Sequence, residues 1–161
     1  MSEQIERDNP GRDADALRRI ANLLGGRQVL KHPLATPLDA HDLLRQGLPA
    51  QALDCLRDKL VVLEFTSSVE KALGMSLRTY QRRNKTPAKP LSQEQSGRTW
   101  KFAEILTRAT AVFGSQRAAE EWLEQPAIGL DQHSPIDLLA TPAGVELVED
   151  LLTRLEYGVY V

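Results

Sequence analysis

The sequence predicts an all-α fold, with a helix-turn-helix in the N-terminal half and a second helical half after it. Two observations carry this. Apolar residues recur at helical spacing through most of the chain. The only strand-like run, LVVLEF at residues 60–65, has no second strand to pair with and reads as a buried helix or turn segment.

Taken in order, residues 1–12 are polar. From Asp13, Leu17, Ile20, Ala21 and Leu24 recur at i, i+3, i+4 and i+7 until Gly25-Gly26 ends the run. Residues 30–35 contain Pro33 and read as a connector. Thr36, Pro37 and Asp39 start a helix with Leu43 and Leu44 inward and Gly47 as its stop. Pro49 opens another, carried by Leu53, Leu56 and Leu60, placed to brace the helix-turn-helix from behind.

Residues 66–83, TSSVEKALGMSLRTYQRR, read as helix, tight turn, helix. Val69 and Leu73 share a face, Gly74 suits the left-handed turn, and Ser76 caps a second helix. There Leu77 and Tyr80 fall inward while Arg78, Thr79, Gln81 and Arg82 fan outward, followed by Arg83 and Lys85. Those are the groups that reach phosphates and base edges in a major groove. Two packed helices with merely solvated arginines would give the same local pattern. Against the usual spacing, Glu70 stands where a small residue is normal and Arg83 where an apolar one is common.

Residues 84–90, NKTPAKP, make a basic linker and the expected domain boundary. Ser92 and Gln95 form a capping-box spacing for a helix with Phe102, Ile105, Leu106, Ala109 and Phe113 inward and Gly114 as its stop. Ser115 caps the next, where Ala118, Ala119, Trp122 and Leu123 pack until Pro126. Ser134-Pro135 and Thr141-Pro142 repeat a cap-plus-proline signal. The second opens a long helix carrying Val145, Val148, Leu152 and Leu155, with Leu147 and Leu151 widening the stripe so that it needs partners on more than one side.

The net charge of −2 conceals segregation: residues 114–161 hold nine acidic and two basic side chains, leaving +5 on residues 1–113. That division points to two partners of opposite character. No apolar run approaches membrane-spanning length and the first residues lack a signal-peptide core, so a cytoplasmic protein without membrane contact is expected. Cys55, the only cysteine, reads as a small buried side chain, and His32, His41 and His133 lack metal-site spacing. No metal, cofactor or catalytic constellation is nominated, and Glu149 and Asp150 read as solvating charges, so an enzyme ranks last. The chain closes on EYGVYV, an apolar, tyrosine-bearing segment that either folds onto the protein's own core or inserts into another protein.

The order SLRTYQRR, LSQEQSGR, AAEEWLEQPAIGL and SPIDLLATPAGVELVEDLLTRLEYGVYV resembles the Xre-type antitoxins of RES-Xre toxin-antitoxin modules, relatives of the MbcA/ParS group. The resemblance covers residues 47–161, is most specific in the C-terminal block, and leaves residues 1–46 without a motif. It implies an antitoxin that binds a RES-domain toxin, an NAD-degrading enzyme, and occludes its active site with the C-terminal segment. It also implies binding of the module's own double-stranded operator DNA and repression of its transcription. Carried onto this chain, toxin contact falls on Arg154, Tyr157, Gly158, Val159, Tyr160 and Val161. DNA contact falls on Ser76, Arg78, Thr79, Gln81, Arg82 and Arg83. A homodimer is expected from operator symmetry and the broad apolar stripes.

The expected organisation is thus a helical extension at 1–46, a helix-turn-helix domain with its basic linker at 47–90, and a toxin-binding domain at 91–161. The other reading is a free-standing helix-turn-helix regulator whose acidic half serves dimerisation or another partner.

Overall fold

A computed structural model describes residues 10–64, 66–83, 85 and 89–158. Their regular structure is helical, apart from one isolated bridge between Ala127 and His133. The helices are α1 (Pro10–Leu23), α2 (Gly26–Leu30), α3 (Pro37–Gln46), α4 (Ala50–Lys59), α5 (Ser67–Leu73) and α6 (Leu77–Arg83). After the linker come α7 (Gln93–Phe113), α8 (Gln116–Glu124), a 3-10 turn (Ile128–Leu130), α9 (Pro135–Leu138) and α10 (Pro142–Glu156). No helix among them is long and apolar enough to cross a membrane.

The caps follow the side chains. Thr36 accepts from Asp39 N while Asp39 accepts from the Thr36 amide, and Ser92 and Gln95 make the same reciprocal pair at the start of α7. The two amides bound by Asp39 hold its carboxyl below the usual range. Ser115 and Thr141 accept from Ala118 N and Gly144 N. Ser134 behaves differently from the expected cap: its hydroxyl donates to Glu124 O at 3.0 Å, tying α9 back to the end of α8. A second difference is α2, which starts at the Gly25-Gly26 helix stop and ends at Leu30, where the connector is expected to begin. It buries Leu30 and lies close enough that a Cβ on Gly25 would meet Cys55 Sγ at 2.9 Å.

The long helix α7 is the spine, packing against α1, α3, α5, α8 and α10. Phe102, Ile105, Leu106 and Ala109 are buried along it, as the stripe requires, and Phe113 is half-buried against Trp122 with ring centroids 5.1 Å apart. Each large side chain so buried contributes about 1.5–3 kcal/mol. Buried Ser96 fastens the N-terminal half to this spine: its hydroxyl accepts from Leu48 N at 2.8 Å and lies within reach of Leu91 O. On the other side Lys101 pairs with Glu149 of α10 at 2.8 Å and with Glu104 at 3.0 Å. Burial would lower the Lys101 pKa, but these two carboxylates outweigh it and the net shift is upward. Glu149 is therefore more than the solvating charge its sequence position suggests.

The run at residues 60–64 is irregular, neither strand nor helix. Its amides are satisfied by one side chain. Glu120 of α8 has no solvent exposure, and its carboxylate accepts from Val61 N, Val62 N and Leu63 N, all at 2.9 Å, and from Gln116 Nε2 at 2.8 Å. Consecutive amides converging on a carboxylate form an anion-binding nest.

Removing that acceptor leaves one buried and two partly buried amides without their partner. Glu120→Ala is expected to lower unfolding free energy by about 3 kcal/mol in urea denaturation, and Glu120→Gln by less. An alanine variant as stable as the parent would mean the turn is held by packing alone.

Candidate nucleic-acid and partner interfaces

The turn between α5 and α6 is set by Gly74, at φ 65°, whose amide closes onto Glu70 O and Lys71 O. Non-glycine residues reach that conformation at a cost, and here a Cβ would also meet Arg98 Cδ at 2.7 Å. Arg98 reaches from α7 to donate to Lys71 O at 3.2 Å, so the spine supports the turn from below. Val69, Leu73 and Met75 are buried beneath it.

Glu70 has a specific task here. Its Oε1 accepts from Leu77 N at 2.8 Å, so the carboxylate caps the first turn of α6, where a negative group is favoured. The side chain that departs from the usual spacing thus aims the second helix. Ser76 Oγ accepts from Thr79 N at 3.1 Å and donates to Thr79 Oγ1 at 2.9 Å, adding a second cap.

Tyr80 anchors α6 to α4. Its ring is 2% exposed, its hydroxyl donates to Asp54 Oδ1, and the Arg57 guanidinium lies 5.3 Å from its centroid. Leu77 differs from expectation. It is 37% exposed, because at the first position of α6 it lies on the margin of the face that Tyr80 buries.

Of the residues assigned to DNA, Ser76, Arg78, Gln81 and Arg82 are exposed, and Thr79 and Arg83 are half-buried. Arg83 also donates to Pro90 O at 3.3 Å, holding the end of the linker against the helix. The side chains of Arg78, Gln81 and Arg82 extend from α6 without a hydrogen bond to another described residue, although the Arg82 carbonyl accepts from Lys85 N at 3.2 Å. They form a polar, cationic face on a helix fixed from behind.

In the C-terminal half, α9 packs on α5 and on α8 and α10, and Ser68 Oγ donates to Asp137 Oδ1 at 2.7 Å. Val148, Leu151 and Leu152 of α10 are buried and Val145 and Leu155 are half-buried, while Leu147 faces solvent. Arg154 is half-buried near the end of α10, and Arg108 of α7 reaches Thr153 at 2.9 Å and Glu156 at 3.8 Å. Tyr157 is 62% exposed and Gly158 follows it on the surface at φ 72°. Val159, Tyr160 and Val161 lie outside the described residues. Among the described residues no cluster of His, Cys, Asp or Glu is arranged to hold a metal.

Comparison with known proteins finds two matching domain families. Residues 39–104 match the family described as "Antitoxin Xre-like helix-turn-helix domain". Residues 108–158 match "Antitoxin Xre/MbcA/ParS C-terminal toxin-binding domain". "Antitoxin Xre" of Yersinia enterocolitica is 34% identical over 120 residues, 74% of this chain and 79% of the relative. This chain belongs to the Xre antitoxin family.

An "Antitoxin Xre" of Pseudomonas putida is 30% identical over 125 residues, 78% of this chain and 76% of the relative, and one of Photorhabdus laumondii is 26% identical over 118 residues, 73% of this chain and 78% of the relative. As an Xre antitoxin the chain is an antitoxin of a toxin-antitoxin module with a helix-turn-helix. Helix α7 crosses from the helix-turn-helix match into the toxin-binding match, so the two share one rigid element.

Sequence reasoning missed the supporting residues of this Xre antitoxin. Glu120 had a signal, being a carboxylate three residues before buried Leu123 and four after Gln116, on an apolar helix face. Arg98 had none, since its contact lies 27 residues away. Glu70→Ala is expected to cost about 1 kcal/mol in chemical denaturation by uncapping α6. An unchanged midpoint would show that Ser76 alone sustains that turn.

Proposed function

We propose that this antitoxin binds a RES-domain, NAD-degrading toxin, blocks its active site with the C-terminal segment, and represses its own operon by binding operator DNA as a homodimer in the cytoplasm. The carrying observation is the opposed charge of the two halves on one rigid frame. The +5 portion, residues 1–113, exposes Arg78, Gln81 and Arg82, and the −7 portion, residues 114–161, carries half-buried Arg154 and exposed Tyr157 and Gly158.

The chemistry suits each partner. DNA phosphates attract the arginines of α6, with Ser76 and Thr79 at its first turn and Arg83 at its last, while Gln81 has the paired donor and acceptor that read adenine. A cleft that accepts a phosphate-rich dinucleotide is cationic, and an acidic inhibitor is drawn to it. The segment Tyr157, Gly158, Val159, Tyr160 and Val161 then supplies apolar and aromatic contact, with Arg154 beside it, and Tyr160 is assigned the deepest position. Support for the toxin partner comes from the toxin-binding domain matched at residues 108–158.

Two variants separate the activities. Deleting residues 158–161 is expected to abolish toxin neutralisation in a growth-rescue assay while leaving operator affinity unchanged. Arg78→Ala with Arg82→Ala is expected to weaken operator binding and to reduce the slope of log affinity against log salt by about two, sparing neutralisation. Rescue by the truncated chain would remove the tail from the mechanism, and an unchanged salt slope would remove α6 from the DNA contact.

A further inference from the structure

Helices α1 and α2 precede both matched domains, and they build a hollow of their own. With the connector that follows they enclose an open recess of about 460 Å³, which shares Arg27, His32 and Pro33 with an adjoining one of about 370 Å³. The floor is apolar: Ala21 and Leu30 are buried and Leu34 is half-buried. The walls are basic. Arg18, Arg27 and Lys31 line the pair together with the His32 imidazole, and among the described residues no aspartate or glutamate lines either.

Local structure sets these groups around the hollow. Arg18 and Ala21 lie three residues apart on one face of α1, and Arg27 and Lys31 are one turn apart at the end of α2. Lys31 stands at φ 51°, a conformation that costs free energy in residues with a Cβ, and its amide closes onto Arg27 O at 3.1 Å. The chain reverses there, so that His32 lines the same recess as Arg27, with its ring donating through Nδ1 to Pro33 O at 2.8 Å. Lys59 of α4 donates to Asn22 O and braces α1 at the rim. Arg18 is paired with Asp15, which stands outside the lining, while the side chains of Arg27 and Lys31 have no hydrogen bond or ion pair with another described residue.

Cations gathered around one hollow repel one another and raise the local concentration of anions. A phosphate monoester brings close to two negative charges and three acceptor oxygens, enough for more than one of these groups, and a guanidinium fork matches its geometry. The apolar floor adds contact for whatever carries the phosphate, and recesses of this volume suit small ligands.

We infer that this recess binds a phosphate monoester of about mononucleotide size, with Arg27 and Lys31 on the phosphate, Arg18 and His32 beside it, and the apolar part of the ligand over Ala21, Leu30 and Leu34. The site lies in the part of the chain that neither matched domain covers. It gives that extension a ligand of its own, independent of the toxin.

Calorimetry on the full antitoxin with adenosine monophosphate, adenosine and inorganic phosphate tests this. The nucleotide is expected to bind about tenfold or more tightly than either fragment, and to raise the melting temperature as its concentration rises. Arg27→Ala with Lys31→Ala is expected to weaken nucleotide binding by about tenfold or more, with the unliganded melting temperature and operator affinity unchanged. Arg12→Ala with Arg19→Ala, which removes the same charge from α1 outside the recess, is expected to bind as the parent does. Absence of nucleotide binding at millimolar concentration overturns the site, and so does binding that the Arg27 and Lys31 variant leaves unchanged. Equal affinity for the nucleotide and inorganic phosphate, or equal loss in the Arg12 and Arg19 variant, would reduce the recess to diffuse positive charge and overturn it as well. A variant that instead weakens operator binding and lowers its salt slope would make backbone phosphate of DNA the occupant and overturn the free ligand.

Discussion

One buried carboxylate ties the acidic half of this antitoxin to the entrance of its helix-turn-helix. Glu120 reaches from the acidic half into the entrance of the helix-turn-helix and gathers three successive amides of residues 61–63. A charge with no solvent exposure is tolerated only when its lone pairs are filled, and here four donors fill them. The turn gains in return: its amides would be unsatisfied in any apolar pocket. Neither partner is stable in this place without the other.

Around that contact the spine helix does the positioning. Through Arg98 it supports the turn at Gly74, through Ser96 it holds the start of α4, and through Lys101 and Arg108 it fixes α10. These polar links join elements distant in sequence, while the apolar stripe beneath supplies the bulk of the burial. The outer faces of α6 and α10 are left exposed.

Much of this was legible in the sequence because its signals are local. Caps at Thr36, Ser92, Ser115 and Thr141, stops at Gly47, Gly74 and Gly114, and the apolar stripes of α1, α4 and α7 each depend on residues within a few positions. The candidate DNA face was legible for the same reason, apart from Leu77, whose place at the margin depends on how Tyr80 anchors against α4. What stayed hidden depends on distant partners. Glu70 looked like a defect until the amide it caps was in place, Glu149 looked like a solvating charge until Lys101 lay beside it, and the irregular path of residues 61–63 was written in α8.

The bond between Ser68 and Asp137, with α9 seated on α5, has a consequence for how such a molecule can change over time. The helix that orients the reading head is also a floor of the inhibitory half. Any substitution that tilts α5 within the helix-turn-helix match also shifts α9 within the toxin-binding match. Drift in either half must therefore be accommodated by the other, so the two matched regions are bound to change together.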